Sequence, residues 1–243
     1  MPMERRTRLL LNGRELLTIQ ASPVDLRDWA VGFLLTEGLI RSLGEIHALT
    51  VDEPAAEIRA EVAPDLLEDR ELSGRRYLTS GCGKGVTFSS IKDAMTLAPV
   101  RHDLTVSPRQ LIAWMRLMQR QTPLYAASGG MHAAAAVRVP TGEMLVREDI
   151  GRHNAVDKAL GAALQAGFAG DQTIILTTGR ISYEMCSKLA RYGVAVGASL
   201  TAATDQAIRL ATRLSIDLVG YAQGEEKLLL YTGGKHIRPE REP

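Results

Sequence analysis

Two cysteines in 243 residues are too few for a disulfide framework or a four-thiolate zinc site. The chain is therefore expected to work in a reducing compartment, the cytoplasm, with its thiols free. Excess charge is lacking as well, since 29 basic side chains against 28 acidic ones leave a net +1. That balance gives no bulk electrostatic support for binding nucleic acid or a membrane surface. No apolar run approaches the length of a membrane span, and the stretch from Met1 to Leu10 is too charged for a signal peptide. Internal repeats, low-complexity segments and the Walker and dinucleotide glycine patterns are missing too. What is present is the composition of an ordinary globular protein, 45% hydrophobic and 23% charged. It suffices for one large domain or two small ones.

The element pattern divides near residue 100. Asn12-Gly13 between two aliphatic runs predicts a hairpin from Arg8 to Ile19. Ser22-Pro23-Val24-Asp25 is expected to open a helix, with Ser22 as cap and Asp25 at the capping-box distance. Leu26, Trp29, Ala30 and Phe33 follow at helical spacing, and Gly38 ends the element. Glu37, beside Gly38, is read as part of a solvated helix end in preference to a group that faces a site. Strands are predicted from Ile46 to Val51 and from Glu57 to Val62, then a charged, exposed stretch from Asp65 to Arg76. Pro99 to Asp103 reads as a connection between lobes. Ser107-Pro108-Arg109-Gln110 opens a second helix whose stripe of Leu111, Trp114, Met115 and Met118 is core-like. Beyond it, strands and helices alternate up to Tyr231, which argues for an at least partly parallel α/β sheet covered by helices.

Chemistry concentrates in a few stretches. Ser80-Gly81-Cys82-Gly83-Lys84-Gly85 sets glycines and a lysine around one of the two cysteines. Glycines open the sulfur to approach, and a nearby lysine favours the thiolate, the form that attacks. The same stretch also suits a tight turn in which the cysteine fills a small space. Cys186, in a helix without such neighbours, is read as packing. Thr177-Thr178-Gly179-Arg180 ends a predicted strand and feeds a helix N-terminus, a natural anion site to which Arg180 adds a phosphate-matching fork. A plain strand-to-helix turn fits equally. His132, after two glycines, reads as a general base, a metal ligand or a satisfied buried imidazole. His153, Asn154, Asp157 and Lys158 form a polar cluster on an otherwise apolar helix, either a site or a solvated face. Parts of a zinc deaminase site are present, but Ala134 stands where its glutamate belongs and Gly85 where its second cysteine belongs.

Taken together, these stretches resemble the FdhD family of formate dehydrogenase accessory sulfurtransferases. The resemblance is carried by Ser22-Pro23, Gly32-Phe33-Leu34, Glu37-Gly38, Ser80-Gly81-Cys82-Gly83 and Gly130-Met131-His132-Ala133. It continues through the run from Glu148 to Lys158 and through Thr178-Gly179-Arg180-Ile181-Ser182-Tyr183-Glu184-Met185. It implies a cytidine deaminase-like mixed sheet covered by helices in residues 101–243, with a smaller N-terminal α+β lobe, residues 1–100, carrying the cysteine loop. It implies a sulfur carrier that accepts sulfur from a cysteine desulfurase as a persulfide on Cys82. The sulfur then passes to the molybdenum of bis(molybdopterin guanine dinucleotide) before the cofactor enters formate dehydrogenase. The cofactor is thus a transient substrate; no permanently bound cofactor and no metal of the protein's own are expected, and a homodimer is implied. The family's cofactor-contacting segment falls on Tyr221, Ala222, Gln223, Gly224, Glu225 and Glu226.

Two departures stand out. Many relatives carry Cys-Gly-x-Cys, but Gly85 replaces the second thiol here, which excludes a two-cysteine relay in this loop. Gln223, Glu225 and Glu226 make the C-terminal segment a poorer phosphate contact than its more basic counterparts. His132, Arg152, His153, Asn154, Lys158 and Arg180 are the further groups expected to hold the cofactor. Two rival readings are a non-catalytic cofactor-binding chaperone for formate dehydrogenase and a nucleotide hydrolase on a deaminase-like fold.

Overall fold

The computed structural model describes residues 1–66, 77–78, 86–87, 97–223 and 228–238. Strands β1 (Arg5–Leu11) and β2 (Arg14–Ala21) form the predicted hairpin. Asn12 and Gly13 both take positive φ, 48° and 76°, as a two-residue turn matched to strand twist requires. Helix α1 (Leu26–Thr36) follows, then β3 (Ile46–Asp52) and β4 (Glu57–Val62). They close a four-stranded sheet of order β2-β1-β4-β3, in which only β1 and β4 run parallel. Leu9, Leu11, Leu17 and Ile58 are buried against Trp29, Phe33 and Leu34 of α1. Two short strands, β5 (Tyr77–Leu78) and β6 (Val86–Thr87), pair antiparallel. Cys82 and most of the predicted exposed stretch from Asp65 to Arg76 lie outside the described residues.

The larger sheet has the order β12-β11-β10-β9-β7-β8. Its strands are β7 (His132–Arg138), β8 (Glu143–Asp149), β9 (Thr173–Thr177), β10 (Val196–Ser199), β11 (Asp217–Gly220) and β12 (Leu229–Leu230). The three central strands β9, β10 and β11 are parallel, whereas β7 runs against β9 and β12 against β11. Helices α2 (Pro108–Arg120), α3 (Pro123–Ser128), α4 (Arg152–Gln165), α5 (Tyr183–Tyr192) and α6 (Asp205–Leu214) are the remaining helices among the described residues. Alternate residues of β7 serve opposite faces. Ala134 and Ala136 pack with α4, α5 and α6, while Ala135 and Val137 pack with Leu111, Met115 and Met118 of α2. A sheet covered on both sides explains why its strands read as unbroken apolar runs. The expected α/β architecture with a smaller α+β lobe is what the chain adopts. The short α3 had no predicted counterpart.

α1 fastens the smaller sheet to the larger one by lying on α4 almost without a gap. A Cβ at Gly32 would stand 1.8 Å from the Asp157 carbonyl, and one at Gly161 would stand 1.9 Å from the Asp28 carbonyl. The polar groups expected at the ends of α1 are drawn into this seam. Ser22 does not cap the helix; Asp25 occupies the N-cap, at φ 51°, without a side-chain cap bond. Instead the Ser22 N–H donates to Asp149 Oδ2 (3.0 Å), its Oγ accepts from the Ile150 N–H (3.1 Å), and its carbonyl accepts from Lys158 Nζ (3.1 Å). Glu37 is not solvated either, because it is buried and paired with Lys188 Nζ at 3.2 Å.

Candidate functional site

Because β9, β10 and β11 are parallel and each leads into a connection at the same edge, their carboxyl ends share that edge with the start of β7. Helices α4, α5 and α6 all begin there. In open α/β sheets this edge is where ligands bind. His132 opens β7 opposite Asp149, the last residue of β8. Its Nδ1 lies 3.3 Å from Thr178 Oγ1, which also accepts from the Ala133 N–H at 3.0 Å. His153, in the first turn of α4, places Nε2 3.4 Å from the Oγ of Ser182, and Ser182 caps α5. Two elements that are distant in sequence are thereby joined at each imidazole.

Arg152 sets the electrostatics of this edge. Only 8% of the residue is exposed. Its stem lies against the turn after β9, where a Cβ at Gly179 would come within 2.7 Å of Arg152 Cβ. A glycine at 179 is therefore a condition for the arginine to lie where it does. Burial first, and the Arg152 charge second, hold His132 below its ordinary range, with Asp149 pulling weakly the other way. The same two causes, with Lys188 and His132 adding, push His153 down to about 3. Both imidazoles are consequently neutral near pH 7, able to donate at one nitrogen and accept at the other. Arg180, at the following position of the turn, is exposed.

The other predicted members divide sharply. Lys158 has no exposed surface; its ammonium is held by Asp149 Oδ2 at 2.7 Å and by the carbonyls of Ser22 and Glu148. Its work is internal, closing the charge of a carboxylate that also accepts from the Gly151 N–H and Asn154 Nδ2. Asn154 Nδ2 donates as well to the Gln20 carbonyl, so Asn154 too serves the seam. Asp157, four residues on from His153, is buried and meets Lys188 Nζ at 2.9 Å and Thr36 Oγ1 at 2.8 Å. Burial raises the Asp157 carboxyl against the pull of Lys188. The polar cluster is thus neither a solvated face nor a single site, since of its four members only His153 turns, with its neighbour Arg152, toward the sheet edge.

At the end of β11 the chain curls over its neighbours. The Tyr221 N–H donates to the Thr201 carbonyl and the Ala222 N–H to the Ser199 carbonyl. Tyr221 takes a left-handed φ of 54°, uncommon for an aromatic residue, and is 49% exposed. Its side chain neighbours that of Tyr231, whose ring would collide with any Cβ at Gly220. Ala222 is completely buried and offers no side chain to a ligand, while Gln223 is exposed. Gly224, Glu225 and Glu226 lie outside the described residues. Cys186 is buried, as its sequence context suggests, and burial pushes its thiol up to about 12. Thr178 stands in the turn read as an anion site, and Ser182 and Asp149 within the motifs of the resemblance, but the contacts of these three with the imidazoles and with the seam are not read from the sequence. The available signal was a serine or threonine at each strand-to-helix turn, a position that caps helices and can also orient an imidazole.

Among the described residues no group of three His, Cys, Asp or Glu is placed to hold a metal ion. No helix among them is long and apolar enough to cross a membrane. The family model for the FdhD/NarQ family matches residues 2–238. Sulfur carrier protein FdhD of Geobacillus kaustophilus is 34% identical over 217 residues, 89% of this chain and 82% of that protein. The protein of the same name from Bacillus subtilis is 34% identical over 231 residues, 95% of this chain and 87% of its own length. A crystal structure from Desulfotalea psychrophila, described as a formate dehydrogenase accessory protein, superposes with a TM-score of 0.77 at 26% identity. It covers 97% of this chain and 90% of that one. With the fold shared across nearly its whole length and the motifs that fall on described residues gathered at one sheet edge and one interlobe seam, the chain belongs to the FdhD/NarQ family.

Proposed function

We propose that the protein is a cytoplasmic sulfurtransferase that carries sulfur on Cys82 and delivers it to the molybdenum cofactor of a formate dehydrogenase. One observation carries the assignment of the sulfur atom. Cys186 is sealed in the core with a thiol raised to about 12, so it supplies almost no thiolate near pH 7. That leaves Cys82, with Lys84 beside it in sequence, as the remaining thiol of the chain. In the first half-reaction the Cys82 thiolate attacks the outer sulfur of a desulfurase persulfide. The inner S–S bond breaks, and the donor cysteine leaves as a thiolate.

The cofactor is the substrate of the second half-reaction. Arg152, Arg180, His132 and His153 supply one buried and one exposed guanidinium together with two neutral imidazoles. That set suits phosphate oxygens, through charge-assisted bonds from the arginines and neutral N–H donors from the histidines. Tyr221 offers a half-exposed ring, beside that of Tyr231, on which a guanine can stack.

The reading is tested by intact-mass analysis after incubation with a cysteine desulfurase and cysteine. One reductant-labile sulfur is expected on the wild type and on C186A, and none on C82A. Sulfur that persists on C82A overturns the assignment. Formate dehydrogenase activity that survives in cells carrying C82A turns the protein into a chaperone for the cofactor rather than a carrier.

A further inference from the structure

The outer face of α2, continuing into α3, belongs neither to the sheet edge nor to the interlobe seam, and the charged side chains that these two helices themselves supply are all of one sign. Between Leu104 and Met131 the chain has three arginines and no aspartate, glutamate or lysine. Arg109, Arg116 and Arg120 are all exposed. They are seven and four residues apart, and at 3.6 residues per turn they fall within about 40° of one another, a row about 16 Å long. A chain whose total charge is +1 has gathered cations here without interleaved carboxylates, unlike an ordinary solvated helix face. Beside the row stand two exposed apolar side chains, Leu117 at 39% and Tyr125 at 50%. Arginine and tyrosine without lysine is the composition of a protein interface rather than of a surface kept free of contacts.

The face also has a definite relation to the sheet edge. The N–H groups of Leu124 and Tyr125, in the first turn of α3, donate to the two carboxylate oxygens of Glu148 at 2.9 and 2.7 Å. Glu148 pairs with Ala133 across the β7–β8 ladder, next to the His132–Asp149 pair. The row therefore ends beside the edge that holds His132, and a partner seated on it touches down next to that edge.

We infer that the α2–α3 face docks an acidic surface of the formate dehydrogenase that receives the sulfurated cofactor. This inference rests on the sulfur-carrier reading. Guanidinium groups in a row match carboxylates in bidentate pairs. A second copy of this chain is a poor occupant, because a two-fold contact through this face sets arginine against arginine. The dehydrogenase is the partner class to which the description of the Desulfotalea psychrophila protein points.

The test compares wild type, R116E/R120E and R116K/R120K for binding to purified, cofactor-free formate dehydrogenase from the same organism, at low and high salt. Sulfur loading by the desulfurase, thermal midpoint and sedimentation are followed in parallel. The charge reversal is expected to weaken binding about tenfold or more and to flatten its salt dependence. The lysine pair should recover part of the affinity, with loading and midpoint unchanged throughout. Equal binding by wild type and reversal, or no binding by the wild type, overturns the inference. A loss confined to desulfurase loading reassigns the face to the donor, and a loss confined to self-association reassigns it to a second copy. Absence of sulfur loading in the wild type is the separate result that defeats the carrier reading.

Discussion

The contact that most constrains this molecule is the near-touching of α1 and α4, and replacing Gly161 by alanine puts it under a calculable load. The new Cβ would stand 1.9 Å from the Asp28 carbonyl oxygen, whereas ordinary contact begins at 3.4 Å. The helices must therefore part by about 1.5 Å, since the obstructing atom is backbone and cannot swing away. A radial gap of 0.5–1 Å already forfeits about a quarter to a half of a dispersion contact. The same parting pulls Thr36 and Glu37, at the end of α1, away from Lys188, to which they now lie at 2.9 and 3.2 Å. Each buried polar group left unmatched costs about 1–3 kcal/mol, against a gain of about 1 kcal/mol in helix propensity from glycine to alanine. A net loss of about 2–8 kcal/mol follows once overpacking of about 1–3 kcal/mol is included. For a chain of this length each kcal/mol lowers the midpoint by about 2–4 °C. Calorimetry on G161A, G32A and the double variant is the assay. Because one parting of the helices relieves both clashes, the double variant should lose clearly less than the two singles combined. An unchanged or raised midpoint in G161A, with propensity alone expressed, would refute the close seam.

Lys158→Met should destabilise by about 3–5 kcal/mol, because Asp149 is left buried and charged. Pairing it with Asp149→Asn should recover a large part of that loss in urea unfolding, whereas a folded K158M of unchanged stability would return Lys158 to the ligand-holding set. Burial and the Arg152 charge hold His153 at about 3 in the folded protein against its ordinary 6.5, so the unfolded chain takes up its proton first as pH falls. Stability from this residue is then present above 6.5 and is lost as pH drops toward 3, by at most about 1.4 kcal/mol per pH unit. Unfolding midpoints of H153Q should show a flatter acid limb, and a slope identical to wild type would count against a buried neutral imidazole. Gly179→Ala drives a methyl into the Arg152 stem. It should weaken binding of guanosine diphosphate, followed by calorimetric titration, at least as much as Arg180→Gln does; undiminished binding would separate Arg152 from the anion site.

Much of the fold was legible because local signals and tertiary needs agree. Asn12-Gly13 makes its hairpin, and Ser107 with Gln110 forms the reciprocal capping box expected of them. The matching motif at Ser22 misleads for a physical reason. A serine near a helix start has one hydroxyl to give, and here it is claimed by the Ile150 N–H from more than a hundred residues away. Local pattern cannot show which of two acceptors or donors wins, and the buried alternative wins because an unmatched group there is costly. The same reasoning governs the motif that runs from Glu148 to Lys158. In sequence it looks like one polar site. In space its members part by helical angle: Arg152 and His153 turn to the sheet edge, and Asp149, Asn154, Asp157 and Lys158 turn to the seam. A charged residue on an amphipathic helix therefore has three destinations, not two, and the third is a buried partner on another element. Lys188 shows this most plainly, since nothing around it in sequence announces that Thr36, Glu37 and Asp157 will converge on its ammonium. Such buried pairs contribute little net stability compared with apolar packing. What they contribute is register: α1, α4 and α5 fit together in an arrangement that pairs Lys158 with Asp149 and Lys188 with Glu37 and Asp157, and that arrangement sets where Arg152 and His153 stand at the edge of the sheet.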